Sequence, residues 1–298
     1  MLIYKPEISH IKSTEANAQQ ISIDMLRLDK IDADISGNKW FKLKYNLKKA
    51  KAENKSTIVT FGGAFSNHIV ATAVACKLEG LKSVGIIRGE KQEILNPSLK
   101  KATDFGMELH YISREDYKNK IIPFQLNDTD YIVPEGGANL LGVKGCEEII
   151  TKELQNYDII CCAAGTGTTA AGILNSLTEN QKLYVFPALK NGEFLKEEII
   201  AFSSQKNLNK FELISNYDFG GYGKITQELV NFVIEFKSQQ SIQLDYIYTG
   251  KMVFGVFDLI NKKKINPNSK ILLLHTGGTQ GNTGMEERFK KYFNKQVL

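Results

Sequence analysis

No stretch of this chain is apolar for long enough to cross a bilayer as a helix, which takes about 20 consecutive apolar residues. Histidine and cysteine are scarce, at four each in 298 residues, and neither falls at metal-ligand spacing. His10, His68, His110 and His275 stand far apart, so no metal is expected. Cys76, Cys146, Cys161 and Cys162 read as buried free thiols, because the adjacent pair lies in an apolar run where a strand sends neighbouring side chains to opposite faces. The opening "MLIYKPEISHIKS" lacks the basic-then-apolar order of a signal peptide, which makes the cytoplasm the expected location. Charge offers no partner either: the net +5 comes from lysines interleaved with acids, without the basic stripe of a nucleic-acid binder. Neither a membrane nor a nucleic acid is an expected partner.

What the chain does have is alternation. An amphipathic helix starting near Asn38 carries Trp40, Leu43, Leu47 and Ala50 at helical spacing, and from there strand and helix signals follow one another. "STIVTF" reads as a strand, and "SNHIVATAVACKLEG" as a helix with Ser66 as N-cap and Gly80 as its stop. "NPSLKKATDFG" opens on an Asn cap with Pro97 at the first helical position, and "LGVKGCEEIITKEL" reads as a further helix. The pattern runs on through "YDIICCAAG", "TTAAGILNSL", "KLYVFPAL" and "TGKMVFGVFDLINKK" to "KILLLHTGG". Such alternation predicts an α/β fold of mostly parallel sheets.

Four strand-to-helix junctions are rich in Gly, Ser, Thr or Asn: "FGGAFSNH", "PEGGANLLG", "AAGTGTTAAG" and "HTGGTQGN". One such loop would pass as a tight connection. Four together point to a composite anion site, because ligands of parallel sheets bind beyond the carboxyl ends of the strands, where helix N-termini present free backbone donors.

The third junction places Gly165, Gly167 and Ala170 at the spacing of a dinucleotide fingerprint. Against a nicotinamide cofactor, the strand "KLYVFPAL" is followed by Lys190 and not by an acid for the ribose hydroxyl. Thr166, Thr168 and Thr169 instead supply hydroxyls beside the backbone amides, a chemistry suited to a terminal phosphate dianion. A lysine completes the set. Lys39 sits in the first turn of the opening helix, after a Gly-Asn pair that permits a sharp entry and on the edge of the apolar stripe, where lost hydration lowers an ammonium pKa. Lys42, Lys48 and Lys49 fall away from that stripe and read as solvated. A cofactor with one terminal phosphate and a need for an amine is pyridoxal 5'-phosphate.

"SGNKWFKLKYNL", "FGGAFSNHIVATA", "PEGGANLLGVKGCEEI", "AAGTGTTAAGIL", "DYIYTGKMVFG" and "HTGG", in this order over nearly the whole chain, resemble the 1-aminocyclopropane-1-carboxylate deaminase and D-cysteine desulfhydrase family. That family belongs to the tryptophan-synthase-β-like pyridoxal phosphate enzymes of fold type II. The resemblance implies two open, twisted, mostly parallel sheets flanked by helices, with the cofactor in the cleft between domains. The larger cofactor domain would comprise 1–46 and 150–298, the smaller inserted one 47–149, and the assembly would be a homodimer. By the same resemblance Lys39 bonds the cofactor, Gly165, Thr166, Gly167, Thr168 and Thr169 hold its phosphate, and Asn67 faces its phenolic oxygen. Ser66, with Asn67 and His68 beside it, would seat the substrate carboxylate. Tyr248 and Tyr222 would stand over the substrate, with Thr249 and Thr276 near the pyridine nitrogen.

Two positions depart from the family pattern. Val70 stands where many relatives have an arginine, and Thr249 stands where ring-opening deaminases have a glutamate. A carboxylate beside the pyridine nitrogen favours its protonation, whereas a hydroxyl leaves it largely neutral and the electron sink weaker. Loss of a thiolate tolerates the weaker sink. The expected reaction is thus β-elimination from D-cysteine to pyruvate, sulfide and ammonia; the alternative is ring-opening deamination of 1-aminocyclopropane-1-carboxylate to α-ketobutyrate. β-Replacement and a non-catalytic cofactor-binding paralogue are the remaining readings.

Overall fold

The computed structural model describes residues 4–293 apart from 33, 36 and 92. Among the described residues ten strands form two sheets: β1 (Ile8–His10), β2 (Ser22–Arg27), β3 (Thr57–Gly63), β4 (Lys82–Arg88), β5 (Met107–Ile112), β6 (Asp130–Val133), β7 (Ile159–Ala164), β8 (Lys182–Pro187), β9 (Phe211–Leu213) and β10 (Lys270–His275). One sheet runs in the order β1-β2-β10-β7-β8-β9, and the other is β5-β4-β3-β6. Every pairing is parallel except that of β1 with β2. The expected mostly parallel α/β architecture is the observed one.

Both faces of the six-stranded sheet are buried, which is why its strands are near-continuous apolar runs. Cys161 points into one core with Met25, Leu273 and Val253, while Cys162 points into the other with Leu26, Leu272 and Leu174. All four cysteines are buried and unpaired with one another. In the four-stranded sheet Ile58 packs with Leu43, Leu47 and Val74 on one side, while Val59, Phe61 and Ile86 form a separate cluster. Val70 is fully buried in the first of these groups. A β-branched aliphatic side chain fits that packing; an arginine there would have to carry its charge into it.

The sequence reading differs from the structure in three places. Two strands, β1 and β2, precede the helix with which the alternation was expected to open. They extend the larger sheet through β10, which receives β2 over six residue pairs. The helix expected over "LGVKGCEEIITKEL" stops at Cys146, after only Leu140–Cys146. Its glycines serve close approach: a Cβ on Gly145 would lie 1.8 Å from the Phe41 carbonyl oxygen.

The third difference is Lys42, which is 3 % exposed. The helix Asn38–Ala52 buries more than one stripe, because Trp40, Leu43 and Leu47 enter the core of the smaller sheet while Phe41 enters that of the larger. Lys42 and Asn46 lie on the turn between those two faces and are sealed in. Lys48 and Lys49 are exposed as expected.

Candidate active site

The loops after β3, β6, β7 and β10 meet around the first turn of the helix Asn38–Ala52. Gly37 caps that helix at φ +46°, and a Cβ there would lie 2.2 Å from the Thr276 carbonyl oxygen, so only glycine lets the two backbones touch. Asn38 Nδ2 donates to Thr169 Oγ1 at 2.8 Å, tying the helix to the loop after β7. A Cβ on Gly136 would be 3.4 Å from Thr166, and one on Gly278 2.6 Å from Asn67 Nδ2. The four glycine-rich junctions thus form one site.

Lys39 donates to Asn38 Oδ1 at 3.0 Å. Burial, with Lys42 as a like-charged neighbour, lowers its pKa from 10.5 to about 7, against the opposing pull of Cys146 and Asp245. Lys42 Nζ donates to Thr166 Oγ1 at 3.1 Å, and its own pKa is lowered by burial. The loop from Gly165 to Thr169 leads into the helix Thr168–Ser176. A Cβ on Gly165 would lie 2.9 Å from the Tyr248 ring and hydroxyl, and the Gly167 amide donates to Glu198 Oε2 at 3.3 Å.

Tyr248 stands at the mouth of the helix Thr249–Asn261, held by Asp245, whose carboxylate accepts from the amides of Ile247, Tyr248 and Thr249 at 2.7–3.0 Å. Burial raises the Tyr248 pKa well above 10, so the phenol keeps its proton at neutral pH. Tyr222 meets it edge-on, with ring centroids 6.1 Å apart. Thr249 is fully buried, and its hydroxyl has no hydrogen-bond partner among the described residues. Ser66 caps its helix by accepting from the Ile69 amide at 3.4 Å.

His68 is buried and turned away from the role expected of its neighbours. Thr60 donates its one hydroxyl proton to the Val133 carbonyl at 2.8 Å, so it accepts from His68 Nε2 at 2.9 Å, which leaves Nδ1 a bare acceptor. Only the His68 amide, not its ring, remains for the carboxylate seat. Burial first, then Lys39 and Lys42, lower the imidazole pKa from 6.5 to about 3. The unfolded chain therefore takes up a proton below 6.5 that the folded protein refuses, and this group's contribution to stability is lost as pH falls from 6.5 towards about 3. His68→Gln keeps a donor for Thr60 and is expected to flatten the fall of the thermal midpoint between about pH 7 and pH 5; an unchanged slope would place the acid sensitivity elsewhere.

Sequence reasoning missed four residues. Lys42 lies three positions after Lys39, a spacing that puts both on one helix face. Asn38 was read only as part of a turn. Asp245 precedes Ile247 and Tyr248 by two and three positions, the spacings at which a capping acid accepts backbone amides. Lys251, a lone cation in an apolar run, donates to the carbonyls of Asp218 at 2.7 Å, Gly221 at 2.8 Å and Ala188 at 3.4 Å, which fixes the loop leading to Tyr222.

Over residues 26–277 the chain matches the family model described as pyridoxal-phosphate dependent enzyme. A Pyrococcus horikoshii protein provisionally named 1-aminocyclopropane-1-carboxylate deaminase is 31% identical over 268 residues, spanning 83% of this chain and 81% of that one. The mitochondrial bifunctional D-cysteine desulfhydrase/1-aminocyclopropane-1-carboxylate deaminase of Arabidopsis thaliana is 29% identical over 282 residues, 83% of this chain and 70% of its own. A crystal structure of an ACC deaminase homologue aligns with a TM-score of 0.83 at 26% identity, covering 98% of this chain and 94% of the other.

Proposed function

Since the chain belongs to the family of pyridoxal-phosphate-dependent enzymes, we propose that it breaks D-cysteine down to pyruvate, sulfide and ammonia. It is a pyridoxal-phosphate-dependent lyase or deaminase of small amino acids. The choice of D-cysteine rests on one observation, the buried and unpartnered Thr249 hydroxyl beside Tyr248. A hydroxyl at the cofactor's pyridine nitrogen leaves it neutral, which suits expulsion of a good leaving group better than opening a carbon ring.

Three features support the fit of the cofactor. Lys39 has an amine whose pKa is lowered to about 7, so that a large share of it is neutral at pH 7. Lys42 forms no ion pair among the described residues and reaches the threonine-rich loop. Thr249 offers a free hydroxyl where a buried group normally has a partner. When bound, the cofactor supplies an electron sink for the charge left at the substrate's α-carbon.

Lys39 carries the cofactor in this reading, and its Nζ takes the proton from the α-carbon. The loop Gly165–Thr169 and Lys42 hold the phosphate, Asn67 faces the phenolic oxygen, and Thr249 and Thr276 approach the ring nitrogen. Ser66 with the amides of Asn67 and His68 seats the substrate carboxylate at a helix N-terminus. Tyr248 keeps its proton at neutral pH and can deliver it at Oη to the departing sulfur, while Tyr222 covers it from the cleft side. The same reading assigns 1–46 with 150–298 to the cofactor domain and 47–149 to the smaller one, in a homodimer.

The purified protein is expected to form pyruvate from D-cysteine and little α-ketobutyrate from 1-aminocyclopropane-1-carboxylate. Thr249→Glu is expected to lower pyruvate formation about tenfold or more by changing the charge at the ring nitrogen. Efficient α-ketobutyrate formation with no reaction of D-cysteine would overturn the assignment.

A further inference from the structure

Beside the proposed carboxylate seat opens a cleft of ≈ 1300 Å3, walled by residues at the carboxyl ends of β3, β4 and β5 and by Arg288 from the far end of the chain. Six basic side chains line it against one carboxylate, Glu90. Lys120 is paired with Glu135, but Arg88, Arg114, Lys118 and Arg288 form no ion pair among the described residues. A surface that merely solvates its charges interleaves the two signs; this one concentrates a single sign in a concavity, where the field is focused.

Arg88 links the cleft to the reacting centre. Its Nη2 lies 3.5 Å from where a Cβ on Gly63 would stand, three residues before Ser66, and its guanidinium is 5.5 Å from the Tyr117 ring centroid. A second feature is independent of charge. The Tyr111 hydroxyl, in the lining, has no hydrogen-bond partner among the described residues. Tyr117, also in the lining, is 4 % exposed, and burial first and then a hydrogen bond to Glu135 raise its pKa, so it is a partnered part of the wall. A donor left unmatched in a cleft wall is a group that a polar ligand would satisfy.

We propose that the cleft is a second anion subsite, and that the substrate is an amino acid whose β-substituent ends in a carboxylate, sulfonate or phosphate. The inference rests on the proposed elimination at Lys39 and extends it: the α-carboxylate lies at Ser66 and the distal anion at Arg88. For a β-thioether the Cα–H and Cβ–S bonds break, the proton passes to Lys39 Nζ, and the Cβ–S electron pair leaves with sulfur. The thiolate picks up a proton, and one water molecule yields pyruvate and ammonium, with no oxidant or reductant.

The test uses the holoenzyme with two near-isosteric compounds, S-carboxymethyl-D-cysteine and its neutral amide, S-carbamoylmethyl-D-cysteine. Binding is read by calorimetry and turnover by pyruvate. The acid is expected to bind about tenfold more tightly at low salt, with the advantage shrinking as salt is added. Arg88→Gln is expected to bring the ratio towards one. Equal affinity for the two in the wild type, binding of neither, or a ratio that survives Arg88→Gln and high salt would overturn the subsite. Preferential binding of the acid without pyruvate would leave the subsite standing and remove the elimination beneath it; pyruvate from both at equal affinity would do the reverse.

Discussion

Lys39→Ala is expected to give a folded protein whose turnover falls at least about ten-thousandfold, since it loses both the bond to the cofactor and the base at the α-carbon. The fold should survive, because among the described residues the Lys39 amine makes a single hydrogen bond, to Asn38 beside it. Its value lies in its pKa. An ordinary lysine at 10.5 is neutral in about one molecule in three thousand at pH 7, whereas Lys39, lowered to about 7, is neutral in a large share of them. The sign follows directly: the neutral amine gains as pH rises through about 7 and saturates above it, and protonation removes it below. Reconstitution of the cofactor-free wild type, followed by visible absorbance, is therefore expected to accelerate from about pH 6 to pH 8 and then flatten. The alanine variant should still take up cofactor, without a covalent bond, and release it on dialysis. Retention of turnover would remove Lys39 from the chemistry; a midpoint near 10.5 would remove its desolvation.

The opening helix shows what the sequence could and could not disclose. The Gly-Asn entry and the apolar edge around Lys39 are local features, but they fit a solvated lysine equally well; the threonine-rich loop and the family resemblance are what singled it out, and the structure adds that Gly37 must touch Thr276. Lys42 was misread by the same logic. Calling it solvated assumed a helix with one buried face, and nothing local says that Phe41 enters the core of one sheet while Trp40 and Leu43 enter that of another. The parallel sheets were legible from alternation, and the glycine-rich junctions gave the site because each follows a strand. β1 and β2 were not, since the three residues of β1 pair with a strand whose other edge joins β10 from the far end of the chain. Asp245 and Lys251 were hidden for a related reason: their partners are backbone amides and carbonyls, which carry no side-chain signature.

Lys42→Met is expected to weaken cofactor affinity about a hundredfold or more, the order of effect seen when one partner of a buried charge pair is removed. Lys42 is 3 % exposed, and its ammonium donates to a neutral hydroxyl, that of Thr166. A charge so placed costs stability on its own, as the lowered pKa states, so without an anion the lysine is a liability. A phosphate dianion in the adjoining loop would reverse that balance. The two states should then respond in opposite senses: the cofactor-free variant melts at or above the wild type, because methionine fills similar volume without a charge, while the loaded variant melts below the loaded wild type. Inorganic phosphate should raise the melting temperature of the cofactor-free wild type and leave that of the variant nearly unmoved. A variant that is destabilised without cofactor yet binds it with undiminished affinity would make Lys42 a packing residue, and the loop from Gly165 to Thr169 would have to neutralise the phosphate with hydroxyls and amides alone.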